Sequence, residues 1–151
     1  MIAETKKKEI IKYCEQYSNQ DSQILSELID YTVENELAPQ MISGMQVGNI
    51  LQSLILLSKS KKVLEIGMFT GYSALKMAEV LPNNGKLHTC EIGENHINTA
   101  RKFFDKSNHG AKIVIHAGPA LKSIKKFKTE SFDFCFIDAD KNNYKNYYIE
   151  C

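Results

Sequence analysis

The sequence predicts an α/β protein: a doubly wound parallel sheet of about four strands, preceded by helices. Two observations carry that expectation. From residue 62 onward, short apolar runs alternate with segments whose apolar residues recur at helical spacing. Strands that alternate with helices are parallel and joined by right-handed crossovers. The first sixty residues show helical periodicity alone. A length of 151 residues suits one domain, read as a helical segment, 1–60, packed on a sheet-forming part, 61–151.

The elements follow in order. Glu4 to Tyr17 carries Ile10, Ile11 and Cys14 near helical period. Asp21 or Ser22 can cap a second helix bearing Ile24, Leu25, Leu28, Ile29 and Val33, which stops before Pro39. After the loop APQMISG, Val47, Ile50, Leu51, Leu54, Ile55 and Leu57 mark a third helix, apolar enough to pack against a sheet. VLEIG is the first strand and YSALKMAEVL a helix ending at Pro82. KLHTCEI is the second strand, and 95–107 a helix with Ile97, Ala100, Arg101 and Phe104 at helical spacing. KIVIHA is the third strand and 121–127 a shorter helix. FDFCFID is the fourth strand, and 142–150 begins another helix.

The composition excludes several function classes. Net charge is +1, so no strong field favours nucleic acid or an anionic membrane. The lysine runs Lys6–Lys8 and Lys59–Lys62, interrupted by Ser60, read as solvated helix ends. No run approaches the roughly 18 consecutive apolar residues of a membrane helix, and the N-terminus lacks the apolar core of a secretory signal. Cys14, Cys90, Cys135 and Cys151 are widely spaced and form no C-x-x-C pair, which fits a reducing, cytoplasmic setting. The four histidines show no i, i+4 pairing, so no histidine metal site is expected.

In an open α/β sheet, ligands bind beyond the carboxyl ends of the strands. Four strand ends here carry residues suited to that. The first carries Glu65-Ile-Gly67-x-x-x-Gly71, where glycines let the backbone turn tightly and approach a ligand. Glu91 ends the second strand, twenty-four residues after Gly67, where an acid can accept bonds from ribose hydroxyls. The third strand runs into HAGPA, with Ala120 placed to touch a flat base. The fourth ends in IDADK, offering Asp138, Asp140 and Lys141. Blander roles fit the same residues: a sharp turn at the glycines, a surface carboxylate at Glu91, and helix caps at Asp138 and Asp140. The glycine spacing is not that of a dinucleotide site. Met68, Phe69 and Thr70 fill space a pyrophosphate would need as bare backbone, so a ligand without phosphates suits the turn better.

Taken together, VLEIGMFTGYSALKMAEVLPNNGKLHTCEI, GPA and FDFCFIDADKNNYKNYY resemble the cation-dependent class I S-adenosylmethionine O-methyltransferases, the group of caffeoyl-CoA and catechol O-methyltransferases. The resemblance runs from about Met41 to the C-terminus. It implies a Rossmann-like methyltransferase sheet, S-adenosylmethionine as cofactor, a divalent cation such as magnesium, and a small phenolic or catechol acceptor. By that resemblance Ser43, Glu65, Gly67, Phe69, Ser73, Glu91, Ala120 and Asp140 are cofactor-side residues, Asp138 a metal ligand, and Lys141 with Asp138 the catalytic pair. It also implies a possible homodimer; neither nucleic acid nor a membrane is an expected partner.

The sequence departs from the family at its end. The family's other two metal ligands, an Asp-Asn pair, lie after the next strand, and this chain ends 13 residues past Asp138. The sequence therefore reads as an N-terminal fragment, expected to transfer methyl groups weakly or not at all. Two further readings stay open: a non-catalytic adenosyl-binding module, and a nicotinamide-dependent oxidoreductase, against which the crowded glycine turn argues.

Overall fold

A computed structural model describes residues 4–151. Three N-terminal helices, α1 (Glu4–Tyr17), α2 (Gln23–Asn35) and α3 (Gly44–Ser58), precede β1 (Lys62–Ile66), α4 (Tyr72–Val80), β2 (Lys86–Glu91), α5 (Glu94–Phe104), β3 (Ile113–Ala117), α6 (Ala120–Ile124), β4 (Phe134–Ile137) and α7 (Tyr144–Glu150). Single 3-10 turns sit at Pro39–Met41, Gly110–Lys112 and Lys141–Asn143. The predicted α/β class holds: the four strands are all parallel, in the order β3-β2-β1-β4. Two helices are shorter than their periodicity implies. Beyond Phe104 and Ile124 the amides of Ser107 and Phe127 bond three residues back, to the carbonyls of Phe104 and Ile124, which closes each helix with a tight turn.

Period-two alternation divides the core. Val63, Leu87, Ile113, Phe134 and Phe136 face the layer that holds α2, α3, α4 and α5. Leu64, Ile66, Cys90, Cys135 and Ile137 face α6 and α7. The chain runs outward from β1 through β2 to β3, then crosses back to place β4 on the other side of β1. That reversal opens a crevice beyond the carboxyl ends of β1 and β4.

The third helix corrects one expectation. It packs chiefly on α4 rather than on the sheet, burying Gly48, Leu51 and Ile55 while Ile50, Leu54 and Leu57 stay exposed. Gly48 lets the Lys76 stem pass, since a Cβ there would lie 2.8 Å from Lys76 Cγ. The stretch Pro39–Ser58 is long and apolar enough by hydropathy to cross a membrane. Here a 3-10 turn and the Ser43–Gly44 corner interrupt it, and the 15-residue α3 spans roughly 22 Å, short of a bilayer core.

Ser22 starts α2 through its carbonyl, not its hydroxyl, which donates to Glu79 instead. Asp21 does not cap the helix either. Its carboxylate accepts from the Tyr72 hydroxyl at 2.8 Å and from Lys76 Nζ at 2.7 Å, with Lys76 buried and Asp21 half-buried. This ties α2 to α4. Removing one partner strands the other charge in the core. Asp21→Ala should therefore cost about 3 kcal/mol in urea unfolding. Asp21→Ala/Lys76→Met should recover most of that loss; equal losses in the single and double variants would contradict the buried-pair account.

Candidate functional site

The loops at the carboxyl ends of the strands enclose a cavity of about 970 Å³. Ser43, Gly67, Phe69, Ser73, Glu91, Ala120, Asp138, Asp140 and Lys141 all line it. These residues span almost a hundred positions, and the strand ends bring them together.

The first wall is the turn after β1. Gly67 has φ of +94°, and a Cβ there would sit 2.4 Å from the Asp138 carbonyl oxygen. The loops after β1 and β4 thus pass so closely that only glycine fits. Gly71, at φ +98°, starts α4 under the Phe104 ring. Between them Met68 and Thr70 are buried, with Thr70 accepting a hydrogen bond from Thr32. Phe69 alone is half-buried, and it holds a left-handed φ of +51°.

Glu91 explains that strained residue. Its Oε2 accepts the Phe69 amide at 2.8 Å, while Oε1 accepts the amides of Ile92 at 2.9 Å and Gly93 at 2.8 Å. Charge-assisted bonds of this kind are strong and hold the carboxylate in one orientation. The bond also occupies the Phe69 amide, one of the turn N–H groups that would otherwise face a pyrophosphate.

Glu65 sits elsewhere than its motif position suggests. It shares parity with Val63, so it points toward α4 and is fully buried behind Ser73. It does not line the cavity. Ser73 Oγ and Thr89 Oγ1 each donate to it at 2.6 Å. Burial pushes its carboxyl up to about 7, against the opposing pull of those two hydroxyls, with smaller upward contributions from Asp138 and Glu91. The sign of the linkage follows. Between the ordinary 4.5 and about 7 the folded protein holds a proton that the unfolded chain has released. Stability therefore falls as pH rises through that window, by about 3 kcal/mol in total. Glu65→Gln should remove this fall: urea midpoints at pH 5 and pH 8 should converge relative to wild type. An unchanged difference would mean that Glu65 is ionised throughout.

The opposite wall follows β4. Asp138 is exposed, and Ser43 Oγ donates to its Oδ2 at 3.3 Å, joining the loop before α3 to the end of β4. Asp140 precedes the 3-10 turn but makes no side-chain cap. Its oxygens accept instead from Tyr147 Oη at 2.5 Å and Asn143 Nδ2 at 2.6 Å, which hold its carboxyl below the usual range. Lys141 is exposed at the rim. Ala120 and Pro119, both small, line the third wall.

His96 also lines the cavity, and sequence periodicity did not mark it. Its ring meets Phe69 edge-on at 4.7 Å, and its nitrogens lie 3.4 Å from Glu36 and 3.5 Å from Glu91. The available signal was its place in the first turn of the helix that follows Glu91. Among the described residues, no group of three or more His, Cys, Asp or Glu gathers as a metal site.

In charge, the lining sets Glu91, Asp138 and Asp140 against Lys141. Such a cleft favours a cationic ligand over a polyanion.

Residues 15–151 match the O-methyltransferase family. The chain is 32% identical over 143 residues to the probable caffeoyl-CoA O-methyltransferase 1 of Dictyostelium discoideum, covering 92% of this chain and 62% of that protein. It is 38% identical over 112 residues to caffeoyl-CoA O-methyltransferase 1 of Eucalyptus globulus, covering 72% of this chain and 46% of that protein. Among solved structures, the SAH-bound Podospora anserina methyltransferase PaMTH1 superposes with a TM-score of 0.91 at 28% identity, over 99% of this chain and 64% of that one. The Bacillus cereus O-methyltransferase in complex with SAH superposes with a TM-score of 0.85 at 30% identity, over 94% and 66%. The chain thus spans less than two thirds of the length of the curated relatives it matches.

Proposed function

Because this chain belongs to the O-methyltransferase family, we propose that its cavity binds S-adenosylmethionine and that it serves transfer of the methyl group to a hydroxyl of a small phenolic or catechol acceptor. One observation carries the reading: Glu91 is locked against the turn after β1, so an acid placed for a ribose hydroxyl and a turn whose Phe69 amide is already paired form one wall. The fit to the cofactor is good. Glu91 Oε2 accepts one amide and keeps a lone pair for a ribose hydroxyl. Ala120 and Pro119 offer a surface for the adenine, and Ser43 and Ser73 offer hydroxyls to the amino-acid end. Glu65 acts from behind, orienting the Ser73 hydroxyl. The acidic lining favours a sulfonium.

S-adenosylmethionine, when bound, supplies an electrophilic methyl group on a positively charged sulfur. The chain's own part is to hold the acceptor oxygen in line with that methyl, where proximity lowers the barrier most. Lys141, exposed at the rim, is the group proposed to take the hydroxyl proton. Asp138 is proposed as one oxygen ligand of a divalent cation. One carboxylate is not a magnesium site, because such a cation takes about six oxygens. The described residues do not complete the set.

A second reading is an adenosyl-binding module without catalysis, since the cavity presents the cofactor-side residues Ser73, Glu91 and Ala120. A transfer assay separates the two. Labelled S-adenosylmethionine, a simple catechol and magnesium should give methylated product beyond one equivalent per chain if the chain is catalytic. Cofactor binding with no product would identify the module. In the catalytic case, Lys141→Met should lower turnover about 100-fold with cofactor affinity retained; unchanged turnover would remove Lys141 from the chemistry.

A further inference from the structure

We propose that Cys135 and Cys151 form a reversible disulfide that locks α7, and with it the Asp140–Lys141 wall of the cavity, against β4. Cys135 lies mid-strand on β4 and faces the layer that holds α7. Cys151 immediately follows the last turn of α7, its amide bonded to the Tyr147 carbonyl. The two sulfurs are in contact at 3.4 Å, and both are free thiols. A disulfide needs about 2.05 Å, so closure requires an approach of about 1.4 Å, within reach of side-chain rotation at an exposed residue.

The other two cysteines lack this arrangement. Cys90 is buried beneath α6 and Cys14 lies on α1. The lock would act on a lightly held element. Helix α7 has seven residues, too few to be stable alone. Among the described residues it is held by the buried Tyr147 and by an exposed Lys125–Glu150 pair at 3.6 Å. The same Tyr147 donates to Asp140 and lines the cavity. Fixing the end of α7 therefore fixes a cavity wall.

The chemistry is a two-electron oxidation by a small disulfide such as oxidised glutathione. The Cys151 thiolate, the more exposed, attacks one glutathione sulfur and expels a glutathione thiolate. The Cys135 thiolate then attacks Cys151 Sγ and expels the second. The protein loses two protons and two electrons, which end on two molecules of reduced glutathione. Burial pushes both thiols up, so the rate should rise about tenfold per pH unit through neutrality, because the thiolate is the nucleophile.

The test treats the reduced 151-residue chain with oxidised glutathione, blocks remaining thiols, digests with trypsin and reads masses. The expected product joins peptide 129–141 to peptide 146–151, disappears on reduction, and is absent in Cys151→Ser. In Cys135→Ser, glutathione should instead remain trapped on Cys151. Hydrogen exchange across 138–147 should slow in the oxidised chain. Full alkylation of both cysteines after oxidation, or a linkage to Cys14 or Cys90, would overturn the pairing. A linkage that leaves exchange across 138–147 unchanged would overturn the lock.

Discussion

Glu91→Ala should weaken S-adenosylmethionine binding about 100-fold. Two kinds of interaction are lost together. The direct one is acceptance of the ribose hydroxyls by a carboxylate, where hydrogen bonds to a charged group contribute about 1.5–3 kcal/mol. The indirect one is the turn: the amides of Phe69, Ile92 and Gly93 lose their acceptor, and Phe69 loses the bond that holds it at positive φ. A combined loss near 3 kcal/mol corresponds to about two orders of magnitude in Kd. Glu91→Gln keeps the shape but turns an N–H₂ toward one of the donors, so it should fall between wild type and alanine. Calorimetric affinities for the three proteins check the order. Wild-type affinity in Glu91→Ala would mean that the carboxylate holds the turn and nothing else.

The largest stability effect is expected at Gly67→Ala. The new Cβ would meet the Asp138 carbonyl oxygen at 2.4 Å and its carbon at 2.8 Å. Neither strand end can yield easily. The Gly67 amide bonds to the Cys90 carbonyl and the Asp138 amide to the Ile66 carbonyl, so both are fixed by the sheet. A left-handed φ costs about 1–2 kcal/mol for a residue with a Cβ, and overpacking adds about 1–3. A loss of about 2–5 kcal/mol in denaturant unfolding is predicted, a large share of ordinary domain stability. Gly118→Ala is the matched control: φ is +110° but no atom lies within 4 Å, so only the backbone strain should appear. Equal losses at both positions would show that the close approach of the two loops costs nothing.

Much of this was legible in the sequence for physical reasons. Strand and helix periods are local patterns, so the order of elements could be read, and the glycines and acids at strand ends fall at the crevice once the sheet is parallel. The rest depends on long-range placement. Glu65 looks like a pocket acid, but its parity with Val63 turns it into the α4 layer, where burial rather than a ligand governs its proton. Asp21 looks like a helix cap, yet a buried lysine 55 residues away claims it. The apolar stripe of α3 announces a packed face without naming the partner, and α4 takes it instead of the sheet. His88 and His116 show no spacing on one helix. The β2–β3 pairing stacks their rings at 5.2 Å, with ring nitrogens 2.9 Å apart.

The proposed cofactor rests on a turn whose Phe69 amide is already paired with Glu91, and one titration tests that reading directly. S-adenosylmethionine and NAD are each titrated calorimetrically into the 151-residue chain, with and without magnesium. The account predicts saturable S-adenosylmethionine binding at one site per chain, largely independent of magnesium, and no comparable heat from NAD. Saturable NAD binding with none for S-adenosylmethionine would contradict it.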